Sequence, residues 1–397
     1  MKKEGAHMNI PTQIEYILRK LTSAGYDAYL VGGCVRDFLL GAAPSDYDIT
    51  TSAEPAETMA VFDGDRVIPT GLKHGTVTVL YGGMSAEITT YRTETTYTDG
   101  RHPDKVQFSK HLSDDLCRRD FTVNAMAMDI DGNIVDLYGG REDLEKKIIR
   151  AVGVPHERFT EDALRILRAF RFASKLGFDI EQDTLEAAIS LAPRLSLVSR
   201  ERIFAELEKL LIGVSAAKII ETMIYGKVFD CIFNTPQISA EAVKYIDTLP
   251  CRADVRLAAF LLNDKNAEEH VKSLKTSTHF ADSVLATVNC VLPESHSLPS
   301  LRRLVFASGK QAALDRALID GDRDLFDKLS TLIETENCFA ISDLDIKGSD
   351  IAALGISGRA IGDALTKLLF AVFDEKVTNA KADLIRYLKK VDNIKKV

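Results

Sequence analysis

The sequence predicts an α+β domain at the N-terminus, built on a mixed sheet of about five strands with helices, followed by an all-α remainder. Two patterns carry this prediction. Between residues 29 and 136, short stretches of strand-forming residues are separated by Gly-Gly and Asp-Gly turns. From about Ala151 onward, apolar residues recur instead with the helical period of 3.6 residues.

The composition is that of an ordinary globular protein, with 397 residues of which 46% are hydrophobic and 27% charged. No run of about 18 uncharged apolar residues and no signal-peptide pattern is found, so we expect a cytoplasmic protein without a membrane span. The six cysteines lie far apart with no C-x-x-C, which argues against zinc or a disulfide framework. The net charge of −8 does not exclude nucleic acid, because such binding depends on local basic faces.

The first elements form a helix, a strand, a tight turn and a second helix. Thr12 to Ala24 has helical spacing of apolar residues, and Tyr29 to Val31 is rich in strand formers. Gly32 and Gly33 break that strand before a helical segment from Val35 to Leu40. Turn N–H groups and a helix N-terminus then face the same space, which predicts an anion site.

An acidic pair, Asp46-x-Asp48, lies in the next strand-like stretch, Tyr47 to Thr51. Side chains alternate along a strand, so both carboxylates should point to one face. Such a pair can hold Mg²⁺ against a nucleotide triphosphate, since Mg²⁺ prefers few protein oxygens plus substrate phosphates. A Gly-Gly turn or a D-x-D pair alone is usually plain structure, and the combination is what predicts a site.

A helix near Glu54 to Phe62 and a hairpin follow. The hairpin strands are Thr76 to Tyr81 and Met84 to Arg92, joined by Gly82-Gly83. Glu87 in the second strand is either a third carboxylate beside the aspartate pair or an ordinary charge on an exposed strand face.

Two further stretches carry charged side chains at spacings that suit a binding site. Asp115 to Ala127 reads DLCRRDFTVNAMA, whose arginines and asparagine suit phosphate and sugar oxygens, although ion pairs at a helix end would use the same residues. A strand pair from Ala127 to Asp136 follows it. Thr160 then predicts the N-cap of a helix from Glu161 to Leu176, with Glu161, Arg165 and Arg168 opposite its core face.

Taken in order, these motifs resemble the nucleotidyltransferase superfamily that includes DNA polymerase beta. More closely, they look like the bacterial-type (class II) tRNA nucleotidyltransferases, the CCA-adding enzymes, and their poly(A) polymerase relatives. The stretches that carry the resemblance are LVGGCVRDFLLG with SDYDI, the D-G-R-x-P loop, RRDFTVNA, EDALR and SRERIFAELEKLL. The resemblance covers residues from about 10 to 212, and the rest more thinly.

The resemblance implies template-independent addition of CCA to the 3′ end of tRNA from CTP and ATP, with Mg²⁺ as cofactor and pyrophosphate as product. An enzyme that adds only A, or a poly(A) polymerase, stays open as an alternative. It implies catalysis and metal binding by Asp46 and Asp48, with Glu87 as an optional third ligand. The implied triphosphate and sugar ligands are Gly32, Gly33, Arg36, Arg119, Asp120, Asn124 and Arg168. A flexible loop with Asp99, Gly100, Arg101 and Pro103 is associated with adding the terminal A.

Base recognition is expected from the E-D-x-x-R motif. An Asp162 carboxylate can accept from the exocyclic amine that cytosine and adenine share, while Arg165 donates to a ring acceptor that both present. Uracil and guanine would face the carboxylate with a carbonyl, which costs ~1 to 3 kcal/mol. Glu161 would hold the arginine in place. On a plain structural interpretation, Glu161 and Arg165 form only a surface ion pair.

The resemblance also implies an elongated molecule in four parts. These are a catalytic head over 9–150, a base-recognition neck over 151–212, a helical body over 213–310, and a tRNA-binding tail over 311–397. The oligomeric state, monomer or dimer, is left open by the sequence.

Overall fold

The computed structural model describes residues 10–94, 106–233, 236, 238 and 240–391. They form two compact units that divide between residues 235 and 236. The division into head, neck, body and tail stays a prediction. Among the described residues, no helix has both the length and the apolar character needed to cross a bilayer.

The first unit is built on a mixed sheet. Its strands and the two short ones beside it are β1 Ala28–Val31, β2 Asp48–Thr51, β3 Arg66–Gly71, β4 Thr76–Tyr81, β5 Met84–Thr90, β6 Arg92–Glu94, β7 Val106–Phe108, β8 Met126–Met128 and β9 Ile134–Asp136. The sheet order is β3-β4-β5-β2-β1-β8-β9. Strand β2 runs parallel to β5, and the other neighbouring pairs are antiparallel.

The mixed sheet is confirmed, but it has seven strands rather than about five. Strand β3 gives no clear pattern in the sequence, because it is an edge strand whose residues are mostly exposed. It also contains Pro69 and has a register shift between Ile68 and Gly71. Proline and irregular pairing are tolerated at a sheet edge, where they weaken the alternation that marks a strand.

Helices cover the sheet and then continue alone to the end of the unit. They are α1 Thr12–Ser23, α2 Gly33–Leu39, α3 Pro55–Val61, α4 Leu112–Cys117, α5 Gly140–Lys146, α6 Pro155–Glu161, α7 Leu164–Leu176, α8 Gln182–Leu191, α9 Arg200–Leu211, α10 Ala216–Tyr225 and α11 Val228–Ile232. A two-stranded parallel ladder joins β10 Ile148–Ile149 to β11 Asp179–Ile180.

The prediction of a single helix from Glu161 to Leu176 is wrong, because the helix is interrupted at Asp162. Helix α6 ends at Glu161, and Asp162 is extended with φ −136° and ψ 105°. Its carboxylate accepts the N–H of Leu164 at 3.0 Å, which satisfies an orphan donor at the start of α7. The predicted core face of this helix is confirmed, and its buried residues are Ala163, Ile166, Leu167, Phe170 and Ala173.

The second unit is helical throughout its described part. Its helices are α12 Ala240–Tyr245, α13 Ala253–Phe260, α14 Ala267–Ser273, α15 Thr278–Val288, α16 Leu298–Ser308, α17 Lys310–Ile319, α18 Arg323–Thr335, α19 Gly348–Ala352, α20 Arg359–Phe373 and α21 Lys381–Val391. One core lies around Leu301 and Leu329, and another around Leu368 and Leu384. The helical period predicted for this region is confirmed.

Candidate active site

The turn between β1 and α2 brings backbone close to charged side chains. Gly32 has φ 79° and ψ −132°, a conformation that essentially only glycine adopts. A Cβ added there would lie 3.1 Å from Nη1 of Arg119 and 3.9 Å from Oδ2 of Asp48. No side chain caps helix α2, which starts at Gly33. The turn therefore places its backbone beside both a cation and a carboxylate, while the Gly32 N–H donates to the Met126 carbonyl at 3.4 Å.

Three carboxylates lie where β2 begins beside the middle of β5. Asp46 and Asp48 are exposed on either side of the buried Tyr47, but β2 begins only at Asp48, so Asp46 precedes the strand and a common strand face for the pair stays a prediction. Asp48 lies opposite Glu87 in the parallel register, so their side chains share a face. We call Asp46, Asp48 and Glu87 the carboxylate edge.

The pKa of Asp48 is raised to about 6, chiefly by desolvation of its carboxyl group. Solvent reaches the residue, but the protein atoms packed around its carboxyl group disfavour the charged form, and Asp46 and Glu87 add repulsion. Arg119 acts in the opposite direction. These hard oxygen donors carry more negative charge than the nearby cations can neutralise. Such a set of donors fits a divalent cation such as Mg²⁺.

Arg119 is held by a buried carboxylate on α4. Its Nη2 donates to Asp115 at 3.0 Å, and Arg118 donates to the other oxygen of Asp115 at 2.6 Å. Burial raises the pKa of Asp115, but the two guanidinium groups outweigh burial and hold it below its usual range. Nε of Arg119 is buried and has no hydrogen-bond partner among the described residues. The Arg119 side chain is thus fixed while keeping unused donor capacity.

A chain of hydrogen bonds crosses the site from α2 to α7. Arg36 donates to the Asn124 amide oxygen at 2.7 Å, and Asn124 donates to Asp120 at 3.1 Å. Nε of Arg168, from α7, donates to the second oxygen of Asp120 at 2.8 Å. Burial alone would raise the pKa of Asp120, but Arg168 and Asn124 lower it to about 2. This carboxylate is ionised and fully engaged in holding its neighbours.

Three guanidinium groups surround the ring of Phe172. Those of Arg36, Arg168 and Arg171 lie 5.2, 5.3 and 3.8 Å from its centroid, within the range of cation–π attraction. Buried Glu206 of α9 contacts Nε of Arg171 at 2.5 Å and lies 3.9 Å from Nη1 of Arg168. We call Arg36, Arg168, Arg171 and Phe172 the arginine cluster.

The aspartate pair and the arginine cluster line one cleft, with a volume of about 720 Å³. It brings together most of the predicted site residues, namely Gly32, Gly33, Arg36, Asp46, Asp48, Arg119, Asp120, Asn124 and Arg168. Other lining residues were missed, including Asp37, Ser45, Arg171, Phe172, Lys175, Lys209, Ile212, Gly213 and Val214. Helical spacing could have found Phe172 and Lys175, which follow Arg168 at intervals of four and three residues.

The predicted base-recognition residues lie outside the described lining of this cleft. Glu161 receives a hydrogen bond from Arg165 at 2.8 Å, and Arg165 also donates to the Arg118 carbonyl at 2.9 Å. Arg165 is buried, so the predicted ion pair with Glu161 is present but not on a solvated face. Asp162 accepts from Arg202 of α9 at 3.1 Å.

The loop predicted to direct A addition, with Asp99, Gly100, Arg101 and Pro103, lies outside the described residues. Strands β6 and β7 on either side of it pair antiparallel, with Arg92 opposite Phe108.

Three family models match successive parts of the chain. Residues 28–150 match the poly A polymerase head domain. Residues 177–241 match a model described as "Probable RNA and SrmB-binding site of polymerase A". Residues 255–388 match tRNA nucleotidyltransferase domain 2.

Full-length relatives agree with these matches. A CCA-adding enzyme of Leuconostoc mesenteroides is 37% identical over 389 residues, covering 95% of this chain and 96% of the relative. One of Oceanobacillus iheyensis is 46% identical over 279 residues, or 69% of each protein. A crystal structure of the Bacillus stearothermophilus CCA-adding enzyme in complex with CTP has a TM-score of 0.83, with 32% identity and coverage of 96% and 97%.

The chain belongs to the CCA-adding enzyme family. The residues that line its cleft come from several segments, and only some of these segments lie within a region matched by a family model. Gly32 to Asn124 lie within the head model, and Lys209 to Val214 lie within the second. Helix α7, which supplies Arg168 and Arg171, lies between the two matched segments. The cleft of this protein is therefore assembled from segments that are distant in the sequence but belong to one compact unit.

Proposed function

We propose that this protein adds CCA to the 3′ end of tRNA, using CTP and ATP without a nucleic acid template. The observation that carries the proposal is the single cleft in which carboxylates, amides of a glycine turn and several guanidinium groups meet. Those are the groups that metal-dependent nucleotidyl transfer requires. The relatives named CCA-adding enzymes, one of them matched over 95% of the chain, support the choice of substrate.

In this reaction the 3′-hydroxyl of the tRNA attacks the α-phosphate of the nucleotide in line, and pyrophosphate leaves. The family's chemistry depends on a divalent metal, and we propose that it is Mg²⁺, held by Asp46 and Asp48 with Glu87 beside them. The bound metal would lower the pKa of the attacking hydroxyl and offset the charge of the triphosphate.

The protein's own contribution is to orient the triphosphate. We assign phosphate contacts to the turn at Gly32 and Gly33 and to Arg36, Arg119 and Arg168. Asp120 and Asn124 were expected to contact the nucleotide directly, but their polar atoms already bond to these arginines. We therefore propose that they act by positioning Arg36 and Arg168.

Base selection is assigned to Asp162 and Arg165, with Glu161 holding the arginine. Both carboxylate oxygens of Asp162 already accept one hydrogen bond, from Leu164 and from Arg202, and each retains a second acceptor site. The orienting role of Glu161 is supported by its 2.8 Å contact with Arg165. The proposed tRNA contacts of the tail and the cytoplasmic location stay predictions, and the choice between monomer and dimer stays open.

The experiment is incubation of the purified protein with three RNAs, labelled CTP and ATP, and Mg²⁺, followed by sequencing-gel analysis. The RNAs are a tRNA ending at its discriminator base, the same tRNA ending in CC, and an unstructured oligonucleotide. CCA addition predicts three added residues on the first RNA and one on the second. Addition only to the RNA ending in CC would mean an A-adding enzyme, and long tails on the third a poly(A) polymerase. No extension of any RNA would overturn the proposal.

A further inference from the structure

Two lysines in the cleft differ from every arginine that lines it. The guanidinium groups of Arg36, Arg119, Arg168 and Arg171 are paired with Asp37, Asp115, Asp120 and Glu206 respectively. Lys175 and Lys209 are exposed in the same cleft. Neither ammonium group has a hydrogen bond or ion pair within the part of the chain that the structure describes. In a chain of net charge −8, two cations without internal partners indicate an anionic ligand.

The two lysines lie at a tightly packed junction between α7 and α9. Ser174, which precedes Lys175, donates its hydroxyl to the Leu210 carbonyl at 2.7 Å and accepts the Ser215 N–H at its own carbonyl at 3.1 Å. A Cβ added at Gly213 would lie only 2.0 Å from the Ser174 hydroxyl oxygen. The backbone that carries both lysines is therefore held in place on one side of the cleft.

Apolar side chains share this edge of the cleft. Ile212 is 39% exposed and Val214 is 71% exposed, and both line the cleft beside the lysines. A single exposed aliphatic residue is ordinary. Two of them beside two unpaired ammonium groups form a surface with one charged and one apolar part. A nucleotide has the same two parts, a phosphate and the flat faces of its sugar and base.

The reaction proposed above brings two anionic substrates into one cleft. The glycine turn, Arg119 and the arginine cluster already supply donors for the triphosphate. The attacking RNA carries its own phosphodiesters and needs a separate place. We propose that Lys175, Lys209, Ile212 and Val214 bind the last phosphodiester and nucleoside of the acceptor RNA. This assignment rests on the proposed function and goes beyond it by separating the RNA subsite from the nucleotide subsite.

The test is the double variant Lys175→Gln/Lys209→Gln, assayed with tRNA ending in CC and with ATP. Two lost phosphate contacts on single-stranded RNA should raise the KM for tRNA about ten- to thirtyfold at 0.1 M salt. They should also reduce the magnitude of the slope of log kcat/KM for tRNA against log salt by about 0.7, the value for one neutralised phosphate on a single strand. The KM for ATP should stay within about twofold of wild type. Lys175→Arg/Lys209→Arg keeps both charges and should restore the KM for tRNA.

A matched control is Lys146→Gln/Lys218→Gln, which removes two charges from exposed helix surfaces outside the cleft lining. It should leave both KM values unchanged, and thermal unfolding of all variants checks their folding. A rise in the KM for ATP with an unchanged KM for tRNA would overturn the assignment, because the lysines would then serve the triphosphate. Unchanged values of both would overturn it as well. Failure of the proposed function itself would appear separately, as a wild-type protein that adds no nucleotide to any tRNA.

Discussion

The carboxylate edge holds like charges close together, whereas the arginine cluster holds paired charges, although Asp46 and Asp48 line the same cleft as the cluster. At the edge, Asp46 and Glu87 both repel the Asp48 carboxylate, and Arg119, which offsets this repulsion, is bonded to Asp115. In the cluster, each guanidinium group has its own carboxylate partner and shares the ring of Phe172.

Because of this difference, the site can accept both a cation and an anionic phosphate. A cluster of like charges is costly until a counter-ion arrives, so we expect the carboxylate edge to bind a cation. A cation that is already paired in the folded protein costs little further reorganisation when a phosphate arrives. We therefore expect substitutions at the edge to act on chemistry and substitutions in the cluster to act on stability and substrate affinity.

The largest effect should come from Asp48→Asn, or equally Asp46→Asn. Removing one charge from the carboxylate edge should lower nucleotide addition by about 10³-fold or more, because the metal loses a ligand. Binding of tRNA, measured by filter retention, should survive. Addition within about tenfold of wild type would contradict the metal assignment. Glu87→Gln is the graded comparison, and we expect a smaller loss because Glu87, unlike the aspartate pair, lies outside the described lining of the cleft.

The second effect concerns Asp120→Asn, which leaves Arg168 without its charged partner. The native pKa of about 2 lies below the unfolded value near 3.9, so the ionised carboxylate stabilises the fold by about 2 kcal/mol. Because the folded pKa is the lower one, this stabilisation is complete above about pH 5 and is lost as the pH falls towards 2.

Urea unfolding of wild type and Asp120→Asn between pH 3 and 7 measures this dependence. The difference in the free energy of unfolding should be constant at the upper end and should shrink below about pH 4. A difference that does not change with pH would show that the variant acts by packing and that the ion pair contributes nothing.

Sequence reasoning recovered those parts of the site that lie in short local patterns. The turn at Gly32 and the alternation around Tyr47 depend on neighbouring residues, so local rules suffice. The partners of Arg168 and Arg171 lie at Asp120 and Glu206, 48 and 35 residues away in the sequence, and only the tertiary fold reveals such pairs. The helix break at Asp162 was missed for another reason. Its carboxylate caps α7, and the surrounding EDALR residues are good helix formers that hide the interruption.

The third prediction tests whether Asp162 only forms an ion pair, as the carboxylates of the arginine cluster do, or also reads the base of the nucleotide. Asp162→Ala removes the acceptor facing Arg202, and if the carboxylate reads the base edge, discrimination against UTP and GTP should fall by ~1 to 3 kcal/mol. That corresponds to about five- to 150-fold in the ratio of kcat/KM values. Arg202→Gln is the matched control for loss of the ion pair alone. A variant that is slower but equally selective would make Asp162 a scaffold residue.

The smallest effect should come from Phe172→Leu, which keeps apolar volume but removes the ring that three guanidinium groups face. Phe172 is only 5% exposed, so it acts through Arg36, Arg168 and Arg171 and is a positioning residue. Losing about 1 kcal/mol of cation–π attraction should loosen these donors and raise the KM for CTP and ATP about fivefold. Phe172→Tyr keeps the ring and should restore the KM, whereas a purely packing role would let leucine serve as well as tyrosine. Steady-state kinetics with saturating tRNA separates these outcomes. If Phe172→Leu and Phe172→Tyr bind nucleotides equally well, the carboxylate partners alone hold the arginine cluster in place. The cluster would then differ from the carboxylate edge only in its ion pairs.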